Sequence, residues 1–173
     1  MKTSFLRILI IICAVVWSIG AQAQRSIDLI NGNDRVQRDE AVGLMNSGKP
    51  EDAIKILDDL CKKYQDNYIL EYERLLAYYL AKDFKHIVKE GPKFYNHPEV
   101  EPQCYQMVGN AQDVLGYSEA AVRTYDEGLK RFPNSGYLYL EKGNIHLQNN
   151  RYVEAAECYT HGVEVQPDFA SNY

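Results

Sequence analysis

One gapless repetition constrains this chain more than any other feature. Tyr105, Gly109, Asn110, Ala121, Tyr125, Gly128 and Pro133 return 34 residues later as Tyr139, Gly143, Asn144, Ala155, Tyr159, Gly162 and Pro167. Seven identities in one register are not chance, and a fixed period of this size means that one supersecondary unit is stacked on copies of itself. Stepping back from Gly109 and Ala121 gives Leu75 and Ile87, then Ala41 and Ala53, so four units cover 34–67, 68–101, 102–135 and 136–169. Residues 24–33 form a linker ahead of them. Residues 170–173 match the opening of a fifth unit, which predicts a longer natural chain.

Each unit reads as two amphipathic helices with a tight turn between them. In the first, Asp34 to Ser47 ends at Gly48, and Pro50, Glu51 and Asp52 open the next helix with proline in its first turn and acids against the dipole. Ala53, Ile54, Leu57, Leu60 and Cys61 then fall on one face, with Lys55, Asp58, Asp59 and Lys62 opposite. Gly116 and Asn150 mark the same turn in units three and four, and Pro133 and Pro167 stop the second helices. Unit two has Lys82-Asp83 at the turn, Leu75 and Ile87 where small residues are expected, and Gly91 where the others carry Leu57, Tyr125 and Tyr159. A locally more open hairpin is expected there.

These residues resemble the tetratricopeptide repeat family, whose helical hairpin has small residues at positions 8, 20 and 27, large ones at 4, 11 and 24, and proline at 32. Unit four matches with Tyr139, Gly143, His146, Ala155, Tyr159, Gly162 and Pro167. Unit three matches except for Gln112 at position 11. The resemblance implies an all-α, right-handed superhelical solenoid of helix-turn-helix hairpins, with small residues at positions 8 and 20 where two helices approach closely.

The N-terminus reads as an address. Lys2 and Arg7 precede an apolar run from Ile8 to Ile19, and Ala21-Gln22-Ala23 supplies the small residues of a cleavage site, so residues 1–23 form a secretory signal peptide cut after Ala23. The run is shorter than the roughly 20 residues that span a bilayer, and an uncleaved anchor is the weaker alternative. Cys13 follows Ile10-Ile11-Ile12 and does not fit a lipoprotein site. The product is expected to be exported, periplasmic or secreted, with no integral membrane domain after cleavage. The formal charge is already −5 and cleavage removes only basic residues, so nucleic acid is not an expected partner. Cys61, Cys104 and Cys158 have neither redox-pair nor zinc-ligand spacing; they read as small buried side chains, with one disulfide as the open alternative.

No nucleophile elbow, phosphate-binding loop or HExxH motif occurs, and the histidines are isolated. No catalytic residue, metal ligand or cofactor is therefore expected, and the chain is not read as an enzyme. His146, at a core column, is expected to be packed and hydrogen-bonded. The resemblance places the binding surface on the concave face, at positions 2, 5, 9, 12 and 13 of each first helix. In units two to four those positions include Tyr72, Tyr79, Gln106, Asn110, Asp113, Tyr137, Asn144 and Gln148, with no Lys or Arg among them. Tyrosine and carboxamide groups on an apolar floor suit a protein or an extended peptide, since amides pair with main-chain groups while rings give rigid contact area. Asn110 and Asn144 look like the groove asparagines with which some family members hold a peptide main chain. The basic residues of a clamp for a C-terminal carboxylate are missing beside them. A non-enzymatic scaffold or adaptor of the cell envelope is the expected function. A glycan- or peptidoglycan-associated module and the regulatory segment of a longer enzyme remain alternatives.

Overall fold

The computed structural model describes residues 26–167, and every described element is helical. The proposed signal peptide with its cut after Ala23, and the opening of a fifth unit at 170–173, lie outside the described residues. After a 3₁₀ turn at Ser26–Leu29 come α1 (Gly32–Asn46), α2 (Pro50–Lys63), α3 (Tyr68–Leu80) and α4 (Phe84–Glu90). A second 3₁₀ turn, Gly91–Phe94, leads to α5 (Pro102–Val114), α6 (Ser118–Arg131), α7 (Gly136–Gln148) and α8 (Tyr152–Val165).

The helix ends follow from local chemistry. Asn31, Asn67 and Asp83 accept from the backbone N–H groups of Asp34, Leu70 and His86, which caps α1, α3 and α4. Pro50 and Pro102 occupy the first turns of α2 and α5, where a missing N–H costs nothing. The turn inside every hairpin is one motif repeated four times: Gly48, Lys82, Gly116 and Asn150 have φ of 75°, 58°, 83° and 58°. The following N–H in each case donates to the carbonyl five residues back, from Lys49 to Leu44, Asp83 to Tyr78, Tyr117 to Gln112 and Arg151 to His146. That 6→1 bond with a left-handed residue before it is the Schellman ending, so the turn is dictated by how the first helix stops.

Consecutive first helices touch (α1 with α3, α3 with α5, α5 with α7), whereas consecutive second helices meet at most marginally. The first helices therefore form the inner layer of a curved array. The buried side chains fall into two clusters that meet along α3. Leu70 and Ala77 join Ala41, Leu57 and Leu60, while Tyr68 and Leu75 join Ile87, Val108, Tyr125 and Leu138. Hairpin two is shortened. Pro92 cannot donate to the preceding turn, α4 stops after 7 residues, and the chain tightens into the 3₁₀ turn. Gly91 sits at this break because Val108 fills its place: a Cβ there would lie 2.2 Å from Val108 Cγ2. The bulk of Leu75 and Ile87, both buried, is accommodated beside it.

The junctions between hairpins alternate in chemistry. Between hairpins one and two, Arg74 pairs with Asp58 at 3.2 Å, and Arg38 forms a forked pair with Glu73, donating from Nε at 3.0 and 2.9 Å and also from Nη2. Between hairpins three and four the same columns give Lys142–Asp126 at 2.7 Å and Gln106 donating to Glu141 at 2.9 Å. At the middle junction those columns hold Tyr72 with Met107, and Pro92 with Val108. It is an apolar contact.

Candidate protein-binding groove

The groove floor is built by a three-residue device that recurs in hairpins three and four. Gly109 leaves room for the Tyr125 ring, since a Cβ on Gly109 would stand 2.4 Å from Tyr125 Cζ; Gly143 does the same for Tyr159, at 2.5 Å from Cε1. Each ring crosses from the second helix to the first and its hydroxyl donates to the next residue, Tyr125 to Asn110 Oδ1 at 2.5 Å and Tyr159 to Asn144 Oδ1 at 2.9 Å. The small residue at position 8 admits an aromatic ring from position 24, and the groove asparagines have their carbonyls committed inside the protein. Their amide N–H groups make only long hydrogen bonds, Asn110 Nδ2 to Tyr79 Oη at 3.4 Å and Asn144 Nδ2 to Glu141 at 3.4 Å.

The expected groove residues separate into groups. Tyr72, Tyr79, Gln106 and Asn110 come together with Leu76, Gln103 and Met107 around a depression of about 230 Å³ at the middle junction. Its walls are held by ring contacts: Tyr72 stacks on Tyr68 with centroids 5.8 Å apart, and Tyr79 meets Phe84 edge-on at 6.1 Å. Gln103 and Gln106 continue into a larger hollow of about 450 Å³ shared with Tyr137, Leu138, Phe132 and Arg131. The Arg131 guanidinium donates to the carbonyls of Tyr95 and His97 and braces the 3₁₀ segment. Asp113 turns toward its own hairpin and accepts from Ser118 Oγ at 2.8 Å. Gln148 is exposed at the far end of α7.

Glu141 was not among the expected residues, yet it is central to the groove's polar side. It accepts from Gln106 and from Asn144, and it lies one residue beyond a groove column. The 68-residue spacing that matches Glu73 to Glu141 was the available signal. Burial pushes the Tyr125 hydroxyl well above its ordinary value, and the Glu141 and Asp113 carboxylates add to the effect, so both charges bear on the Asn110–Tyr125 pair.

His146 is packed as expected, 7% exposed, but its buried Nδ1 finds no hydrogen-bond partner among the described residues, where a hydrogen-bonded imidazole was expected. The three cysteines are free and buried, and burial pushes the Cys61 thiol up to about 11 and that of Cys104 to about 12, which makes them poor nucleophiles. Among the described residues no helix is long and apolar enough to cross a membrane.

Residues 109–160 match the sequence model of the tetratricopeptide repeat. In fold the chain is similar to the crystal structure of MamA, with a TM-score of 0.70 over 80% of this chain and 81% of that one at 17% identity. It is also similar to MamA (41-end) from Desulfovibrio magneticus RS-1, with a TM-score of 0.67, 14% identity and 79% and 77% of the two chains covered. For MamA of MSR-1 the figures are 0.66, 16%, 83% and 84%. Identities at this level speak to the fold alone. No curated protein matches the sequence.

Proposed function

We propose, from the premise that this chain is a tetratricopeptide repeat protein, that it is a non-enzymatic scaffold of the cell envelope holding a protein segment in its concave groove. The observation that carries this is the depression at the middle junction, where Tyr72, Tyr79, Gln106 and Asn110 place two rings and two carboxamides around an apolar floor. Such a surface offers rigid contact area with a few orienting hydrogen bonds, which is how aromatic anchors hold a partner. At about 230 Å³ it is smaller than the roughly 300 Å³ at which drug-sized ligand sites begin, and it suits a side chain of a larger partner. The envelope setting rests on the charged, apolar and small-residue segments of residues 1–23.

The test is capture from an envelope extract with the full chain and with Gln103→Trp. Gln103 is exposed and lines both hollows, so tryptophan there blocks the groove without disturbing a buried contact. The expected result is a defined set of proteins retained by the wild type and lost from a variant of unchanged helicity. Equal capture by both would place the interface elsewhere.

A further inference from the structure

The groove carries two carboxylates that no lysine or arginine pairs with among the described residues. Among the described residues the side-chain donors to these groups are neutral: Asp113 accepts from the Ser118 hydroxyl, and Glu141 from the Gln106 and Asn144 amides. The cations that approach this region are committed elsewhere. Lys142 pairs with Asp126 on α6 at 2.7 Å, and Arg131 donates to the carbonyls of Tyr95 and His97. At the far end of the groove Arg38 is locked to Glu73, and Arg35 donates to the Ile30 carbonyl at 2.8 Å. The groove positions of α3, α5 and α7 contain no lysine or arginine.

We infer that the groove over hairpins two to four takes a basic extended segment, with a lysine or arginine between Asp113 and Glu141 and a neighbouring apolar side chain in the depression formed by Tyr72, Tyr79 and Met107. This rests on the groove reading above and adds the chemistry of the occupant. An acidic segment meets two like charges, and like-charge juxtaposition is strongly unfavourable at an interface, whereas a basic one supplies the missing counter-charge. The asparagine amides, held only by long 3.4 Å bonds to Tyr79 and Glu141, can exchange these for main-chain carbonyls of the same segment.

Four synthetic peptides of equal length test this by fluorescence anisotropy on the full chain: a leucine flanked by lysines, by glutamates or by glutamines, and an alanine flanked by lysines. The lysine–leucine peptide is expected to bind at least about tenfold tighter than the glutamate and glutamine forms at low salt, and to lose that preference as ionic strength rises. Replacing its leucine by alanine should weaken it several-fold. The isosteric pair Glu141→Gln with Asp113→Asn keeps one acceptor oxygen at each position, for Gln106 and for Ser118, and in a variant of unchanged helicity should remove the preference. Equal binding of the glutamine or glutamate peptide, or a preference surviving in the double variant, would overturn the inference. Gln103→Trp separates the two levels of the argument. If the peptides bind without charge preference and Gln103→Trp abolishes binding, the groove stands and the charge reading falls. If a basic peptide binds equally to Gln103→Trp, binding lies outside the groove and both fall.

Discussion

At Asn110 one side chain has two duties, and they can be separated. Its carbonyl is the acceptor for Tyr125, which is fully buried, so Asn110→Ala strands a hydroxyl in the core and should cost about 1–3 kcal/mol in a urea titration. Tyr125→Phe in the same chain should recover part of that loss, and a double-mutant cycle with no coupling would mean that the bond contributes nothing. A loss of binding in Asn110→Ala therefore needs a stability control. Lys82 is the one turn residue of its column without the backbone tolerance of Gly or Asn at φ 58°. Lys82→Gly should stabilise by about 0.5–1 kcal/mol, read as a higher urea midpoint at constant slope, and a lower midpoint would contradict the strain. His146 gives the pH dependence. Burial, then the nearby Arg151 and Lys142 charges, hold its pKa below 6.5, with Glu154 and Asp126 opposing. The folded state therefore binds fewer protons than the unfolded one, so this contribution is intact above about pH 6.5 and is lost as pH falls below it. Urea midpoints at pH 7.5 and 5.5 should drop more for the wild type than for His146→Gln, and parallel drops would refute the assignment.

The junctions between hairpins show what was legible in the sequence and what was not. The helix pairs and their turns were readable because Gly, Pro and the caps act locally, and the buried columns because apolar spacing reports one face. Pairing across hairpins depends on which side chains the stacking brings opposite each other. The Arg38–Glu73 and Gln106–Glu141 contacts follow a 35-residue offset that no single helix displays. The break at Gly91-Pro92 was not read from the sequence, though Pro92 was the available signal, and the compensating entry of Val108 had none, since volume exchange is visible only in packing. In the groove, the tyrosine and carboxamide columns were legible, while the engagement of the asparagine carbonyls and the place of Glu141 were not. The forked pair makes a firm prediction at this scale. Glu73 is 6% exposed, so Arg38→Met alone leaves a buried carboxylate unpaired and should destabilise by about 3 kcal/mol, whereas Arg38→Met with Glu73→Met should restore most of the midpoint. A double variant no better than the single one would show that the pair contributes net stability.

As a whole the molecule presents an inner layer of first helices that touch in succession and an outer layer of second helices that meet at most marginally, which directs its continuous surface inward. The apolar middle junction lies under the Tyr72–Met107 depression, so this part of the groove floor belongs to the core cluster that runs from α3 to α7. The central claim is that the partner lies along this inner layer. Hydrogen–deuterium exchange of the full chain, alone and with the captured partner, tests it most directly. The account predicts slowed exchange concentrated in α3, α5 and α7, with α2, α6 and α8 unchanged. Protection confined to α2, α6 and α8 would contradict it.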